Sequence, residues 1–286
     1  MSIPPLTELH NIFFNEEACV QFLFDHQILC NQRICPNCGV DMIYKAERKT
    51  WRCGIRHCRK EIGYAKDSFF YRHVLSCSEI LLIGYLWLKQ DKMTSVEVTT
   101  KHARPTIVTY MKRYRQLVIR TLDDDDTVIG GPGVVVEVDE SKLGKRKYHR
   151  GHRVEGVWVL GGVERTADRK MFLCSVPNRS AEVLLDAIVR HVRPGSIIYT
   201  DMWRSYTRLV ELGFEHRTVN HTEGFINHED GTHTNTIEGT WNGIKLQIAP
   251  RNRTRADADE HLLEIIWRRK NKRRLWDALL DALRVA

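Results

Sequence analysis

The chain divides by the period of its apolar positions. Between 78 and 121 they recur at helical spacing. Glu79–Gln90 is apolar nearly all round, through Ile80, Leu81, Ile83, Tyr85, Leu86, Trp87 and Leu88, while Ile107, Met111, Tyr114 and Val118 mark one face of a later helix. Ser78 is placed to cap the first of these helices. Thr94 and Glu97 form a capping-box pattern for a short second one, and Pro105 suits the first turn of the third. Upstream, Asn15 before Glu16 and Glu17 predicts a helix start, with Val20, Phe22, Leu23 and Phe24 as apolar surface for packing or dimerisation. From 134 onward strand patterns take over: 134–139, 154–163 and 170–176, with Gly161-Gly162 allowing a bend or bulge. Ser180 then caps a helix whose Leu184 or Leu185, Ile188 and Val192 face inward. A strand at 196–200, a helix at 203–212 closed by Gly213, and a strand at 215–220 follow. Ile237, Trp241, Ile244 and Ile248 define the next helix, and two apolar-basic helices near 257–270 and 275–284 end the chain. The order after 134 is three strands, helix, strand, helix, strand, helix, which is an α/β pattern.

Between the two regions lies a break in composition, Asp123-Asp124-Asp125-Asp126 and then Gly130-Gly131-Pro132-Gly133. Four adjacent acids read as solvated linker. The chain therefore parses as an N-terminal helix (1–28), a cysteine-bearing module (29–66), a helical region (67–122), a linker (123–133), an α/β domain (134–250) and C-terminal helices (251–286).

Charge narrows the partners. The 286 residues carry 44 Lys and Arg against 36 Asp and Glu, a net +8, which favours polyanions. A short helix, a turn and then a helix carrying Lys112, Arg113, Arg115 and Arg120 fit a helix-turn-helix, with a helical bundle bearing a solvated basic face as the plain alternative. No apolar run reaches the ~18 residues of a membrane span, and Met1–His10 lacks the layout of a signal peptide. The eight cysteines are thus expected in a reducing compartment, where spacing points to metal. Cys35-Pro-Asn-Cys38-Gly and Cys53-Gly-Ile-Arg-His-Cys58 supply two thiolate pairs around a hairpin-sized insert that Tyr44 and Trp51 would cover. That is a tetrahedral site for one structural Zn2+, with His57 open as a replacement for Cys58. Cys19, Cys30, Cys77 and Cys174 read as small core residues.

Three acids stand at strand or helix ends. Alternation puts Val134, Val136 and Val138 on one face of the first strand and Val135, Glu137 and Asp139 on the other, with Glu140 adjacent; Glu137 and Glu140 are rivals or auxiliaries to Asp139. Asp201 follows the apolar Ile197-Ile198-Tyr199. Glu238 lies on a polar face with Asn235, Asn242 and Lys245, and Asn235 with Glu238 also reads as an ordinary capping box. Three carboxylates suit hard ions such as magnesium, and two such ions can bracket a phosphodiester.

The residues carry a more specific likeness. Val136-Glu-Val-Asp139-Glu-Ser-Lys142, Gly144-Lys-Arg-Lys-Tyr-His-Arg-Gly-His152, Tyr199-Thr-Asp201-Met-Trp203, Val219-Asn-His221 and His233-Thr-Asn-Thr-Ile-Glu238-Gly-Thr-Trp241 together resemble the Merlin-type DNA transposases and the related bacterial insertion-sequence transposases with an ISXO2-like domain. The resemblance implies a ribonuclease-H-like catalytic fold behind a zinc ribbon and a helix-turn-helix-like domain. It implies a D-D-E triad of Asp139, Asp201 and Glu238 holding two Mg2+ (or Mn2+) ions. Some bacterial relatives place an Asn and a Lys near the third site, which keeps Asn235 and Lys245 in view. Double-stranded DNA, as terminal inverted repeats and target, is the implied partner, bound as a homodimer or larger assembly with no membrane involved. The expected location is the nucleus in a eukaryote, or the cytoplasm and nucleoid in a bacterium. Around the triad, Lys142, Lys145, Arg146, Lys147, Arg150, Arg153 and Lys245 are expected to meet phosphates, with an exposed basic hairpin as the plain reading. His149, His152, His221 and His233 read as hydrogen-bonding or phosphate-contacting groups. Trp203 and Trp241 read as packing beneath the site. Arg268–Arg274 is a basic run open to a DNA contact, an import signal or a solvated helix junction.

Overall fold

The computed structural model describes residues 2–144, 156–220, 232–254 and 256–286. The chain forms two compact units, one of residues 1–121 with 271–286 and one of residues 122–270.

The first unit opens with α1 (Leu6–Phe14) and α2 (Glu16–Asp25), the latter capped as expected by Asn15, whose side chain accepts from Glu17 and Ala18 N–H. A three-stranded antiparallel sheet follows, β1 (Met42–Lys45), β2 (Thr50–Cys53) and β3 (Glu61–Gly63). Tyr44, Trp51 and Phe24 pack ring against ring over it. Helix α3 (Cys77–Leu88) is the axis of the unit and is buried along nearly its whole length. Its cap is Ser76, in a capping box with Glu79, and not Ser78. Ser78 instead donates its backbone N–H, with that of Cys77, to the carboxylate of Glu16 on α2. Helix α4 (Met93–Thr100) has no side-chain cap; Glu97 turns to a paired contact with Arg104 rather than to Thr94. Lys101, left-handed at φ 57°, then turns the chain into α5 (Arg104–Ile119), with Pro105 in its first turn. Gly84 admits the Tyr114 ring against α3, where any Cβ would sit 2.5 Å from that ring. Cys19 and Cys77 are buried as expected, but Cys30 is exposed.

The second unit starts at Leu122. The acidic run is not a loose tether. Asp123 and Asp126 cap each other across a single 3-10 turn, Asp125 pairs with Arg193, and Asp126 with Lys270. Local capping and two cations give three of the four acids, Asp123, Asp125 and Asp126, partners that a flexible linker lacks. Short strand β4 (Ile129–Gly130) then leads to β5 (Val135–Leu143), β6 (Val157–Glu164), β7 (Met171–Val176), α6 (Ala181–His191), β8 (Val192–Arg193) and β9 (Ile197–Asp201). A 3-10 segment (Arg204–Leu212) ends at Gly213 (φ 85°) and is followed by β10 (Glu215–Val219), α7 (Asn235–Gln247) and α8 (Ala258–Lys270). Helix α9 (Leu275–Arg284) belongs to the first unit, where Trp276 packs on Phe13 and Tyr85.

The central sheet has the order β10-β9-β5-β6-β7. β5, β6 and β7 form an antiparallel meander, and β9 and β10 run parallel to β5. Each face carries its own core. Val136, Val138, Leu160 and Phe172 pack with α6 and the 3-10 segment, and Leu143, Val159 and Val163 pack with α7 and α8. Gly161-Gly162 makes no bulge, for the β5–β6 register runs unbroken through both. The pair provides room instead: a Cβ at Gly161 would meet Trp241 at 2.8 Å, and one at Gly162 would meet Phe172 at 2.3 Å. A side chain on either face would push out the ring that covers it. Ser180 stands at the N-cap of α6 without a side-chain bond, and Asn178 accepts its backbone N–H.

Candidate active site

Strand β5 does not end at Asp139, as the sequence pattern suggested, but runs on to Leu143. What ends near Asp139 is its pairing with β9, whose last rung is Glu137↔Tyr199. The offset of that parallel pairing is 199 − 137 = 62, and the offset between the two acids is 201 − 139 = 62. Asp139 and Asp201 therefore occupy equivalent positions two residues beyond the last paired rung. Both backbones carry a carboxylate at the sheet's opening, where α/β sheets place their sites.

The electrostatics match that placement. Burial pushes the Asp139 carboxyl up to about 7, and the negative charges of Glu140 and Asp201 add to the rise. Glu140 is raised too, first by burial, although the Tyr206 hydroxyl donates to it at 2.6 Å. Alternation sends Asp139 toward α7 and Glu140 toward Tyr206 on the other side of the sheet edge. Among the described residues no three carboxylates are gathered within metal-ligand reach of one another as the cysteine sulfurs are. Asp139 and Glu140 are raised, mutually repelling carboxyls, and a hard divalent cation bound between Asp139 and Asp201 would relieve that repulsion.

Helix α7 brings Glu238, and the structure removes the ordinary explanation of that residue. Asn235 is not the N-cap, and no side-chain cap bond of the capping-box kind forms at the helix start. The donors of the first turn go to Glu137 on β5, whose Oε2 accepts from Thr236 N–H at 2.8 Å and Ile237 N–H at 3.0 Å. Glu137 is fully buried, with Arg165 Nε and His233 Nδ1 each 3.6 Å from Oε1. So Glu137, a rival to Asp139 on sequence, is the anchor of the helix. A second tie lies one turn on, where Trp241 Nε1 donates to Asp139 Oδ2 at 3.0 Å while its ring rests on Gly161. Glu238 is half-buried between these two ties and accepts from the Thr234 hydroxyl at 3.3 Å. Trp241 thus packs beneath the site as expected.

Trp203 does not. Its backbone N–H donates to Asp201 Oδ1 at 3.0 Å, but the ring is exposed, as is Met202. Of the expected phosphate contacts, Lys142 is exposed beside Trp158, Lys245 is exposed on α7, and Lys112 and Arg113 are exposed on α5, where Arg113 also reaches His73 and the Tyr110 ring. Arg115 is half-buried on the same helix. Lys145, Arg146, Lys147, Arg150, Arg153, His149, His152 and His221 lie outside the described residues. His233 is a hydrogen-bonding residue, with Arg165 against its Nε2 at 2.7 Å. In the basic run, Arg268 pairs with Glu264 inside α8. Arg269 and Arg169 instead line a cavity of about 460 Å³ along α7. Sequence reasoning missed Arg165, Arg179 and Tyr206, none of which belongs to a charged run or a recognisable spacing.

In the first unit the sulfur atoms of Cys35, Cys38, Cys53 and Cys58 lie within 4.8 Å of one another, and His57 is not part of the group. Cys35 and Cys58 Sγ are 3.7 Å apart, close to the ~3.8 Å edge of a tetrahedron with Zn–S bonds near 2.3 Å. The backbone at Lys60 leads in lowering the Cys58 thiol to about 7. Four clustered thiols, one already easily ionised, fit a zinc ion. Serine at Cys53 or Cys38, or removal of metal by a strong chelator, is expected to unfold this module. The check is the stoichiometry of bound zinc by atomic emission together with loss of the dispersed amide signals of residues 34–63. Signals unchanged without metal would show that the sheet stands on its own.

Residues 122–268, half of the chain and nearly all of its second unit, match the family of the ISXO2-like transposase domain, and the chain belongs to that family. It is also 35% identical, over 103 residues, to an uncharacterized transposase-like protein of Haemophilus influenzae; the match spans 36% of this chain and 82% of that protein.

Proposed function

We propose that the protein is a transposase that binds the terminal inverted repeats of a mobile element, cleaves DNA strands at their ends and transfers them to target DNA. The observation that carries this reading is the pair Asp139 and Asp201, register-equivalent past the last β5–β9 rung, with Glu238 delivered on a helix tied to the same strand by Glu137 and Trp241. The sheet order, an antiparallel meander extended by two parallel strands, supports a ribonuclease-H-like fold. In this reading Asp139, Asp201 and Glu238 hold two Mg2+ or Mn2+ ions, which when bound activate the attacking oxygen and stabilise the leaving one. The chain's own part is positional. Glu137 and Trp241 tie the helix that carries the third acid to the strand that carries the first, and Tyr206 keeps Glu140 oriented. Lys142, Lys245, Arg169 and Arg269 supply positive charge along the path of the DNA backbone. Helices α4 and α5, with Lys112 and Arg113 outward, serve as the helix-turn-helix reader, and the four cysteines hold a structural zinc ion beside it in sequence. Both element ends must be held together for transfer, so a homodimer or larger assembly forms on DNA.

The test uses duplexes taken from the DNA that flanks this gene, labelled on either strand, with Mg2+ or Mn2+. Nicking at a fixed position, followed by joined products with a plasmid target, is the expected result. Tight binding with neither cutting nor joining under any divalent ion would make the protein a DNA-binding regulator. Cutting without joined products would make it a nuclease.

A further inference from the structure

Beside the acids lies a group of side chains that neither the family match nor the triad explains. Trp203 is 43% exposed and Met202 62% exposed, directly after Asp201. A large apolar pair left in water at the mouth of a charged site calls for a covering ligand. Trp203 is also held firmly, since its own N–H is bonded to the Asp201 carboxylate. The Arg179 guanidinium lies 4.9 Å from the Trp203 ring centre and 4.2 Å from that of Trp158. Lys142, directly across the β5–β6 ladder from Trp158, stands 5.4 Å over the same ring. Among the described residues no carboxylate forms an ion pair with Arg179 or Lys142 and no hydrogen bond takes up the guanidinium, although Arg179 is near enough to Glu140 to lower its carboxyl. Two cations on indole faces, with the Trp203 ring still part-exposed, and Glu140 nearby make a site with an apolar plate and a positive wall.

We propose that this group is a nucleotide clamp. Trp203 stacks on the base next to the scissile phosphodiester, and Arg179 and Lys142 hold the adjoining phosphate, so that one nucleotide is drawn out of the duplex and its linkage presented to the acids. A stacked aromatic accepts any base, because every base has a π face, and a guanidinium matches phosphate oxygens in pairs. The charge runs the right way, for the acids repel an approaching phosphate and Arg179 is near enough to Glu140 to favour its charged form and offset part of that repulsion. The clamp rests on the transposase reading above, because it needs DNA to be cut at these acids.

The two ideas separate in one experiment. The flanking-DNA duplex is prepared with 2-aminopurine, in turn, at each position around the nick, and fluorescence is followed in Ca2+ to hold the DNA uncut. Wild-type protein is expected to change the emission at one position next to the nick. Trp203→Ala is expected to lose that change and to nick about tenfold more slowly, while Trp203→Phe keeps both. Arg179→Ala is expected to bind DNA with a salt dependence shallower by about one phosphate contact. Asp139→Asn differs from Trp203→Ala in keeping the fluorescence change while losing the nick. Thermal melting of Trp203→Ala at the wild-type midpoint shows that the exposed ring has no structural task. A Trp203→Ala protein that retains both the emission change and the nicking rate overturns the clamp and leaves the transposase reading intact. A wild-type protein that nicks nothing overturns both.

Discussion

Asp139→Asn is expected to reduce strand cleavage by about 10³-fold or more while leaving the protein at least as stable as before. The loss follows from the role proposed for the carboxylate: as a ligand to divalent ions it would supply several kcal/mol of charge stabilisation in the transition state, and each 1.36 kcal/mol is tenfold in rate. The stability side follows from the structure. An amide of the same shape can still accept the Trp241 N–H through its oxygen, so the tie between α7 and β5 survives. Removing the negative charge also relieves repulsion from Glu140 and Asp201. The sign of the pH effect can be fixed. The Asp139 carboxyl is raised from an ordinary 3.8 to about 7, so it is bound to its proton more tightly in the folded chain than in the unfolded one. Its contribution to stability is therefore complete below the ordinary value and is lost as pH rises through about 7. In a chelator, wild-type protein should lose thermal stability between those limits relative to the variant. A divalent ion should then raise the wild-type midpoint and hardly move that of the variant. Differential scanning calorimetry at pH 5 and pH 8, with and without Mg2+, reads all of this. A variant that cuts DNA at the wild-type rate would remove Asp139 from the site.

That such a residue could be picked out of the sequence, while its supports could not, has a physical reason. Asp139 and Asp201 follow runs of apolar strand residues, and a carboxylate in such a run is conspicuous by its desolvation alone. The strands themselves were visible because alternation and apolar runs are local properties; β6, β7, β9 and β10 lie within a few residues of where the pattern places them. The cysteine pairs were visible for the same reason, and the choice of Cys58 over His57 needed only the third dimension.

The start of α2 was legible in Asn15, but the starts of α3 and α7 were misplaced, α3 by two residues from its local cap Ser76. Ser78 and Asn235 looked like local caps. In the folded chain the backbone donors at the start of α3 and of α7 are taken by Glu16 and Glu137, from 61 and 99 residues earlier. A capping rule searches the neighbouring residues, so a carboxylate arriving from another element escapes it. The same limit hid Arg179, which gains its meaning from Trp158 and Trp203 on either side of it in sequence. It also hid the part of Gly161-Gly162, which allowed a bend or bulge on sequence and instead floors two rings. The helix-start role that the capping-box alternative offered to Glu238 is thus filled by Glu137, which the pattern offered as a rival or auxiliary to Asp139, across one strand–helix contact.

Exchanging those roles makes Glu137 the residue whose loss should damage the protein most. Glu137→Ala strips a fully buried acceptor from two helix N–H groups and leaves Arg165 and His233 without the carboxylate they face. Removing one partner of a buried, hydrogen-bonded charge leaves the others unsatisfied and costs about 3–5 kcal/mol. In a unit of this size that corresponds to a fall in melting temperature of about 10 °C or more. Glu137→Gln is the discriminating companion. Its oxygen can still accept both N–H groups, so the cap persists and what goes is the charge, worth about 1 kcal/mol against a neutral hydrogen bond. Cleavage should follow the helix rather than the charge: nearly abolished in Glu137→Ala, where the start of α7 is released and Glu238 with it, and largely retained in Glu137→Gln. That ordering is the reverse of what a metal ligand would show, since a ligand is disabled by the amide as thoroughly as by the methyl group. Circular dichroism melting of both variants, paired with nicking rates measured well below either midpoint, separates the two cases. If the amide variant is as stable as wild type but cuts no DNA, Glu137 is a ligand after all, and the anchoring of α7 rests on Trp241 alone.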